Sequence, residues 1–274
     1  MPANPHDIRL LISDVDGTIV TPDKTLTPRT REAVQRLADA GIAFTLTSSR
    51  PAGGLRSLVE ALDITAPLAP FNGGLLVRPD LTVITEHRLD RSAIDIVIAT
   101  LEAGGLDVWV YTSEDWFVRD PHGPHVDRES GTVGFRPTVV KAFGDALPRA
   151  VKVVGVSDDA IAVARGSAEV RRRCGGSVSA TSSQPYYVDV TDPLANKGEV
   201  VMALADAFDV PAERVATIGD GANDVLMFAK SGVSIAMANA APEVQRAAKF
   251  LAPSNADEGF ATAIERFILG TDVA

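Results

Sequence analysis

Hydrophobic positions fall into two rhythms along this chain. Short apolar runs at residues 10–12, 42–47, 214–218 and 233–236 have the pattern of buried strands. After the first run, Ala33, Val34, Leu37 and Ala38 recur at helical spacing behind Thr27-Pro28, a capping hydroxyl followed by proline at the first helical position. Gly41 ends that helix. Strand, helix and strand in succession predict a parallel pair with a right-handed crossover. Residues 67–71 read as a third short strand, followed by the turn Asn72-Gly73-Gly74.

From about Leu81 the rhythm changes. Residues 82–85 are expected to pair with 75–77 across Pro79-Asp80, Asp90 caps a helix carrying Ile94, Val97, Ile98 and Leu101, and Gly104-Gly105 ends it. Residues 106–111 and 116–118 predict an antiparallel hairpin, 121–144 a loop with some helix, and 152–190 a strand, a helix and two more strands. Past Thr191-Asp192-Pro193 the first rhythm returns, with Asn196 capping a helix over 197–208 and further helices over 225–230, after Pro242 and from Ala256. The pattern predicts an α/β fold with a Rossmann-like, doubly wound parallel-sheet core made of residues 1–83 and 191–274. An α+β domain at 84–190 is inserted between the two parts.

At 274 residues the apolar content is ample for a buried core. A formal charge of −10 argues against a nucleic-acid or anionic-membrane partner, so an anionic small substrate would need local lysines or a metal. Cys174 stands alone, which excludes an intrachain disulfide and fits a reducing compartment. Residues 1–9 lack the apolar segment of a secretory leader, and no window approaches the length of a membrane span. The expectation is a cytoplasmic protein; the pattern carries no signal of oligomeric state.

The first apolar run ends in Ser13-Asp14-Val15-Asp16-Gly17-Thr18, and the run at 214–218 ends in Gly219-Asp220-Gly221-Ala222-Asn223-Asp224. In an open parallel sheet the carboxyl ends of the strands line the ligand crevice, so four carboxylates are expected to converge there. Such a cluster needs protonation or a cation, and hard oxygen donors select Mg²⁺. Side chains alternate along a strand, so Asp14 and Asp16 cannot play the same part. Lys197 opens a helix, where it opposes the macrodipole unless an anion is near. Ser48-Ser49-Arg50-Pro51 puts hydroxyls at the same sheet edge ahead of a helix whose free amides favour an anion. Asn72-Gly73 is a candidate substrate loop. His122 and His125 lack a third metal ligand of obvious spacing and read as surface loop. Trp109, Tyr111 and Trp116 fit either a substrate pocket or the core of the second domain, and Arg171-Arg172-Arg173 a solvated helix end.

Asp14-Val15-Asp16-Gly17-Thr18, Ser48, Lys197-Gly198 and the run from Gly219 to Asp224, in that order, resemble the four motifs of the haloacid dehalogenase superfamily. An insert between the second and third motifs is similar to the Cof-type branch (subclass IIB), sugar-phosphate phosphatases with an α/β cap. The resemblance implies Mg²⁺-dependent hydrolysis of a small phosphorylated metabolite through an aspartyl-phosphate. Asp14 would be the nucleophile and Asp16 the general acid and base. Asp14, Asp220 and the carbonyl of Asp16 would hold the metal, and Ser48, Lys197 and Asn223 would hold the phosphoryl group. Asp224 would support them, and Asn72, Gly73, Ser49 and Arg50 would lie on the substrate side. The branch usually shows Thr-Gly-Arg where Ser48-Ser49-Arg50 stands, which leaves Ser48, Ser49 and, more weakly, Thr47 as the phosphate hydroxyl. A hexose phosphomutase of related architecture and a non-catalytic phospho-ligand-binding regulator are the alternatives.

Overall fold

The structure is a computed structural model that describes residues 7–271; the first six residues of the segment read as lacking a leader lie outside the described residues. The chain opens with β1 (Leu10–Ser13), α1 (Pro28–Asp39), β2 (Ala43–Leu46) and α2 (Arg56–Ala61). A hairpin of β3 (Leu75–Val77) and β4 (Val83–Glu86) leads to α3 (Arg91–Ala103), β5 (Asp107–Tyr111), β6 (Trp116–Val118), α4 (Val126–Val133) and β7 (Thr138–Val139). Then come β8 (Lys152–Val156), α5 (Ala160–Cys174), β9 (Ser179–Thr181) and β10 (Tyr187–Thr191). The last part holds α6 (Lys197–Ala207), β11 (Val215–Gly219), β12 (Val233–Met237) and β13 (Phe250–Ala252), with short helices between and after them.

The first and last parts share one sheet, in the order β13-β12-β11-β1-β2, all parallel. β1 is fully buried and pairs Ser13 with Ile218 on one side and with Leu46 on the other. That register fixes the site: the next residues, Asp14, Gly219 and Thr47, stand in a row at the carboxyl edge. α1 forms as read, with the Thr27 hydroxyl accepting the Thr30 N–H and Ala33, Val34 and Leu37 buried, although Ala38 faces solvent. Residues 67–71 form no regular strand and make single bridges from Leu68 to Val77 and from Ala69 to Thr47. Pro67 and Pro70 lack the N–H groups a ladder needs.

The middle part builds a second, six-stranded sheet in the order β7-β6-β5-β8-β10-β9, antiparallel except for the pair β6–β7. α3 and α5 begin at the side-chain caps Asp90 and Asp159 and bury Ile94, Val97, Leu101, Val163 and Val170 against it. Trp109, Tyr111 and Trp116 are core: each is at most 2% exposed, and Tyr111 stacks on Trp116 at 5.6 Å. The final helical segment begins at Gly259 rather than Ala256, because Glu258 takes a left-handed backbone conformation after a short turn of helix.

Candidate active site

β1 delivers Asp14 to the carboxyl edge and anchors it there, its N–H bonded to the Ile218 carbonyl at 2.9 Å. β11 delivers Asp220 beside it. Gly17 makes the approach feasible: its φ is +85°, and a Cβ there would lie 2.1 Å from Asp220 Oδ2. Carboxylate oxygens of Asp14, Asp220 and Asp224 lie within 4.8 Å of one another.

Lys197 is the anchor of this cluster. α6 begins at Lys197 behind the side-chain cap of Asn196, whose Oδ1 accepts the Glu199 N–H at 3.0 Å. The Lys197 side chain is wholly buried, and its Nζ donates to Asp14 Oδ1 and Asp224 Oδ1, both at 2.5 Å. The anions that offset its position against the helix dipole are thus these two carboxylates. Asp224 also accepts the N–H groups of Asp220 and Gly221 on Oδ2, at 2.9 and 2.8 Å, which fixes the turn after β11.

Asp16 does not join the cluster, so three carboxylates converge rather than four. Its side chain is held instead by Arg50, which donates from Nε and Nη2 to its two oxygens at 2.7 Å each. Lys24 adds a third bond at 2.6 Å. Burial would raise the Asp16 carboxyl, but the Arg50 hydrogen bonds and charge, with those of Lys24, outweigh it and hold the group below its ordinary value. Arg50, expected on the substrate side, is the planar fork that binds Asp16.

Ser48 is buried and its Oγ accepts the Arg50 N–H at 3.2 Å, while the Thr47 hydroxyl is engaged with the Ala69 carbonyl. Ser49 is half-buried, and its carbonyl lies 3.5 Å from Lys152 Nζ of the second sheet. Asn72 has a φ of 57° and accepts from Asn223 Nδ2 at 3.1 Å, which ties the two loops together. Gly73 packs against the start of α6: its φ is +98°, and a Cβ would meet Val200 at 2.5 Å. His125 pairs with Asp158 at 2.8 Å and stacks on Tyr186, and His122 is exposed.

Three residues around the site went unassigned in the sequence. Thr18 Oγ1 donates to Asp220 Oδ1 at 3.1 Å. Asn239 Nδ2 donates to the Gly17 carbonyl at 2.9 Å and to Asp220 Oδ2 at 3.2 Å, and Lys24 reaches Asp16 as described. Asn239 stands two residues beyond the end of β12, on the same sheet edge as the acids; that position is its only sequence signal.

The electrostatics ask for another cation. Burial, helped by the charges of Asp224 and Asp220, pushes Asp14 well up against the pull of Lys197. Asp220 is pushed up to about 6 by burial and the Asp224 charge. Burial would lower Lys197, yet the charges of Asp14 and Asp224 raise it. Three acids face one lysine, and the donors are all carboxylate oxygen, a set that fits Mg²⁺. Against the cluster lies a cavity of about 330 Å³ lined by Asn72, Lys152, Asp189, Lys197 and Asn223, among others.

The sequence profile of haloacid dehalogenase-like hydrolases matches residues 11–264. The 5-amino-6-(5-phospho-D-ribitylamino)uracil phosphatase YwtE of Bacillus subtilis is 24% identical over 287 residues, covering 96% of this chain and 99% of its own. A haloacid dehalogenase-like hydrolase from Bacteroides thetaiotaomicron superposes with a TM-score of 0.86 at 25% identity, over 95% of this chain and 100% of that one. A subclass IIB sugar phosphatase superposes with a TM-score of 0.83 at 20% identity, over 94% and 98%. No helix among the described residues is long and apolar enough to cross a membrane.

Proposed function

The chain belongs to the haloacid dehalogenase-like hydrolases, and from that premise we propose that it is a Mg²⁺-dependent phosphatase of small phosphorylated metabolites, sugar phosphates among them. The observation that carries the reading is the Asp14 carboxylate, pinned by buried Lys197 at 2.5 Å with Asp220 and Asp224 alongside, at the edge where a parallel sheet receives its ligand.

An Asp14 oxygen attacks phosphorus, the bond to the leaving oxygen breaks, and an aspartyl-phosphate forms. Lys197, Ser48 and Asn223 bind and orient the phosphoryl oxygens, and the Lys197 charge opposes the negative charge that gathers there. Asp14, Asp220 and the Asp16 carbonyl would hold Mg²⁺, which neutralises charge on the phosphoryl group. Asp16 protonates the leaving alkoxide and then takes a proton from the water that cleaves the intermediate. Arg50 and Lys24 favour the anion, so to hold that proton Asp16 gives up at least the hydrogen bond that the protonated oxygen accepts. The division into a core of residues 1–83 and 191–274 and a cap of 84–190 belongs to this reading: the second sheet would close over the substrate and exclude water.

Asp14→Asn removes the nucleophile and keeps the shape. With Mg²⁺, phosphate release from every substrate the wild type turns over should vanish while the thermal unfolding transition survives. Full residual turnover in that variant overturns the assignment.

A further inference from the structure

Behind Asp16 is a chamber of about 80 Å³, lined by Asp16, Arg50, Glu129, Lys152, Tyr186 and Tyr187, among others. It adjoins a cleft of about 820 Å³, with which it shares Lys24, Arg50, Arg128 and Thr132. Most charged groups around the chamber are matched by an opposite charge. Arg50 and Lys24 bind Asp16, and Lys152 binds Asp189 at 2.5 Å. Arg128 lies over the Tyr186 ring.

Of the two carboxylates that line the chamber, Asp16 and Glu129, only Glu129 lacks such a partner. It projects from α4 of the second domain, and among the described residues no arginine or lysine forms an ion pair with it. Its oxygens instead accept one hydroxyl each, Oε1 from Tyr111 at 3.1 Å and Oε2 from Tyr187 at 3.2 Å. Both tyrosines are core residues held by ring contacts, Tyr111 to Trp116 and Tyr187 to Trp109, so the carboxylate is fixed in direction. A carboxylate offers about four acceptor sites, and the two tyrosines occupy about half of them. Burial pushes its carboxyl up, against the pull of Lys152, as expected where charge is left short of partners.

We propose that Glu129 is a specificity-determining residue for the leaving alcohol, accepting a hydrogen bond from an O–H or N–H donor that the alcohol carries beyond its ester oxygen. The inference rests on the phosphatase reading above and names the feature of the substrate that the second domain inspects. A preorganised acceptor beside the general acid rewards alcohols that present a donor and leaves its remaining sites unmet when an alcohol presents none.

The test uses Glu129→Gln, which keeps size and one acceptor oxygen but loses the charge. Wild type and variant are assayed with Mg²⁺ on a hexose 6-phosphate, an amino-hexose 6-phosphate and p-nitrophenyl phosphate, whose leaving group has no such donor. For the donor-bearing esters kcat/KM should fall about tenfold or more, chiefly through KM, as for a lost hydrogen bond to a charged group. p-Nitrophenyl phosphate should stay within about twofold. A larger fall for the amino sugar identifies an ammonium donor, and an equal fall on both sugars a hydroxyl. Equal loss on all three esters would mean that Glu129 only holds the tyrosines, and an unchanged ratio would also overturn the inference. Wild-type turnover that disappears in Asp14→Asn secures the phosphatase reading separately; a wild type inert on all three esters defeats both.

Discussion

Asn239 shows how much of the site depends on a neutral side chain. One Nδ2 group holds both the carbonyl of Gly17 and Oδ2 of Asp220, so it ties the turn after β1 to the turn after β11, and its own Oδ1 takes the Asn255 N–H at 3.0 Å. Partners of this kind orient metal-binding carboxylates, and their loss typically costs about 10–100-fold in metal affinity. Asn239→Ala should weaken Mg²⁺ binding by that order in calorimetric titration, with a far-ultraviolet spectrum like that of the wild type. The acids and Lys197 were legible because each breaks a local pattern: carboxylates at the end of an apolar run, a cation at the start of a helix. Asn239 breaks none, and its partner Gly17 is 222 residues away. Nor could the chain say which way Asp16 turns, since the Arg50 fork that captures it lies 34 residues on.

At the scale of elements, α6 has the most direct consequence for the site, because it begins at the residue that binds two of the three converging acids. Its cap is a single bond from the Glu199 N–H to Asn196 Oδ1. Asn196→Ala should lower unfolding stability by about 1 kcal/mol, read from the urea midpoint at constant slope. It should also loosen the placement of Lys197 and so raise KM for phosphate esters. Helices and strands with their own punctuation were readable, as at Thr27-Pro28, Asp90 and Asn196. Elements decided by tertiary context were not. Residues 67–71 carry a strand's apolar content but also two prolines, and β7 is two residues whose pairing with β6 depends on where the segment carrying α4 returns.

For the whole molecule, the decisive fact is that the first and last parts of the chain meet where β1 pairs with β11, so folding itself brings Asp220 and Asp224 against Asp14. A chain of net charge −10 thereby buries further like charge in its own core sheet edge. The folded protein holds the Asp220 proton up to about 6, against an ordinary value of 3.8 for the unfolded chain. Between these values the folded state binds a proton that the unfolded state has released. This group therefore favours folding on the acid side, and that contribution is lost as pH rises through about 6. The full difference is on the order of 3 kcal/mol. Asp220→Asn has no such proton to lose. Without metal, the variant should match the wild type at about pH 3, below both values, and become the more stable of the two by pH 7.5, in denaturant unfolding at each pH. Saturating Mg²⁺ should reverse the order at pH 7.5, because a cation that binds only the folded wild type stabilises it by mass action and the variant has lost one of the carboxylates that would hold it. An Asp220→Asn protein that gains no stability over the metal-free wild type as pH rises would show that the carboxylates are not in mutual repulsion, and the case for a cation between them would fail.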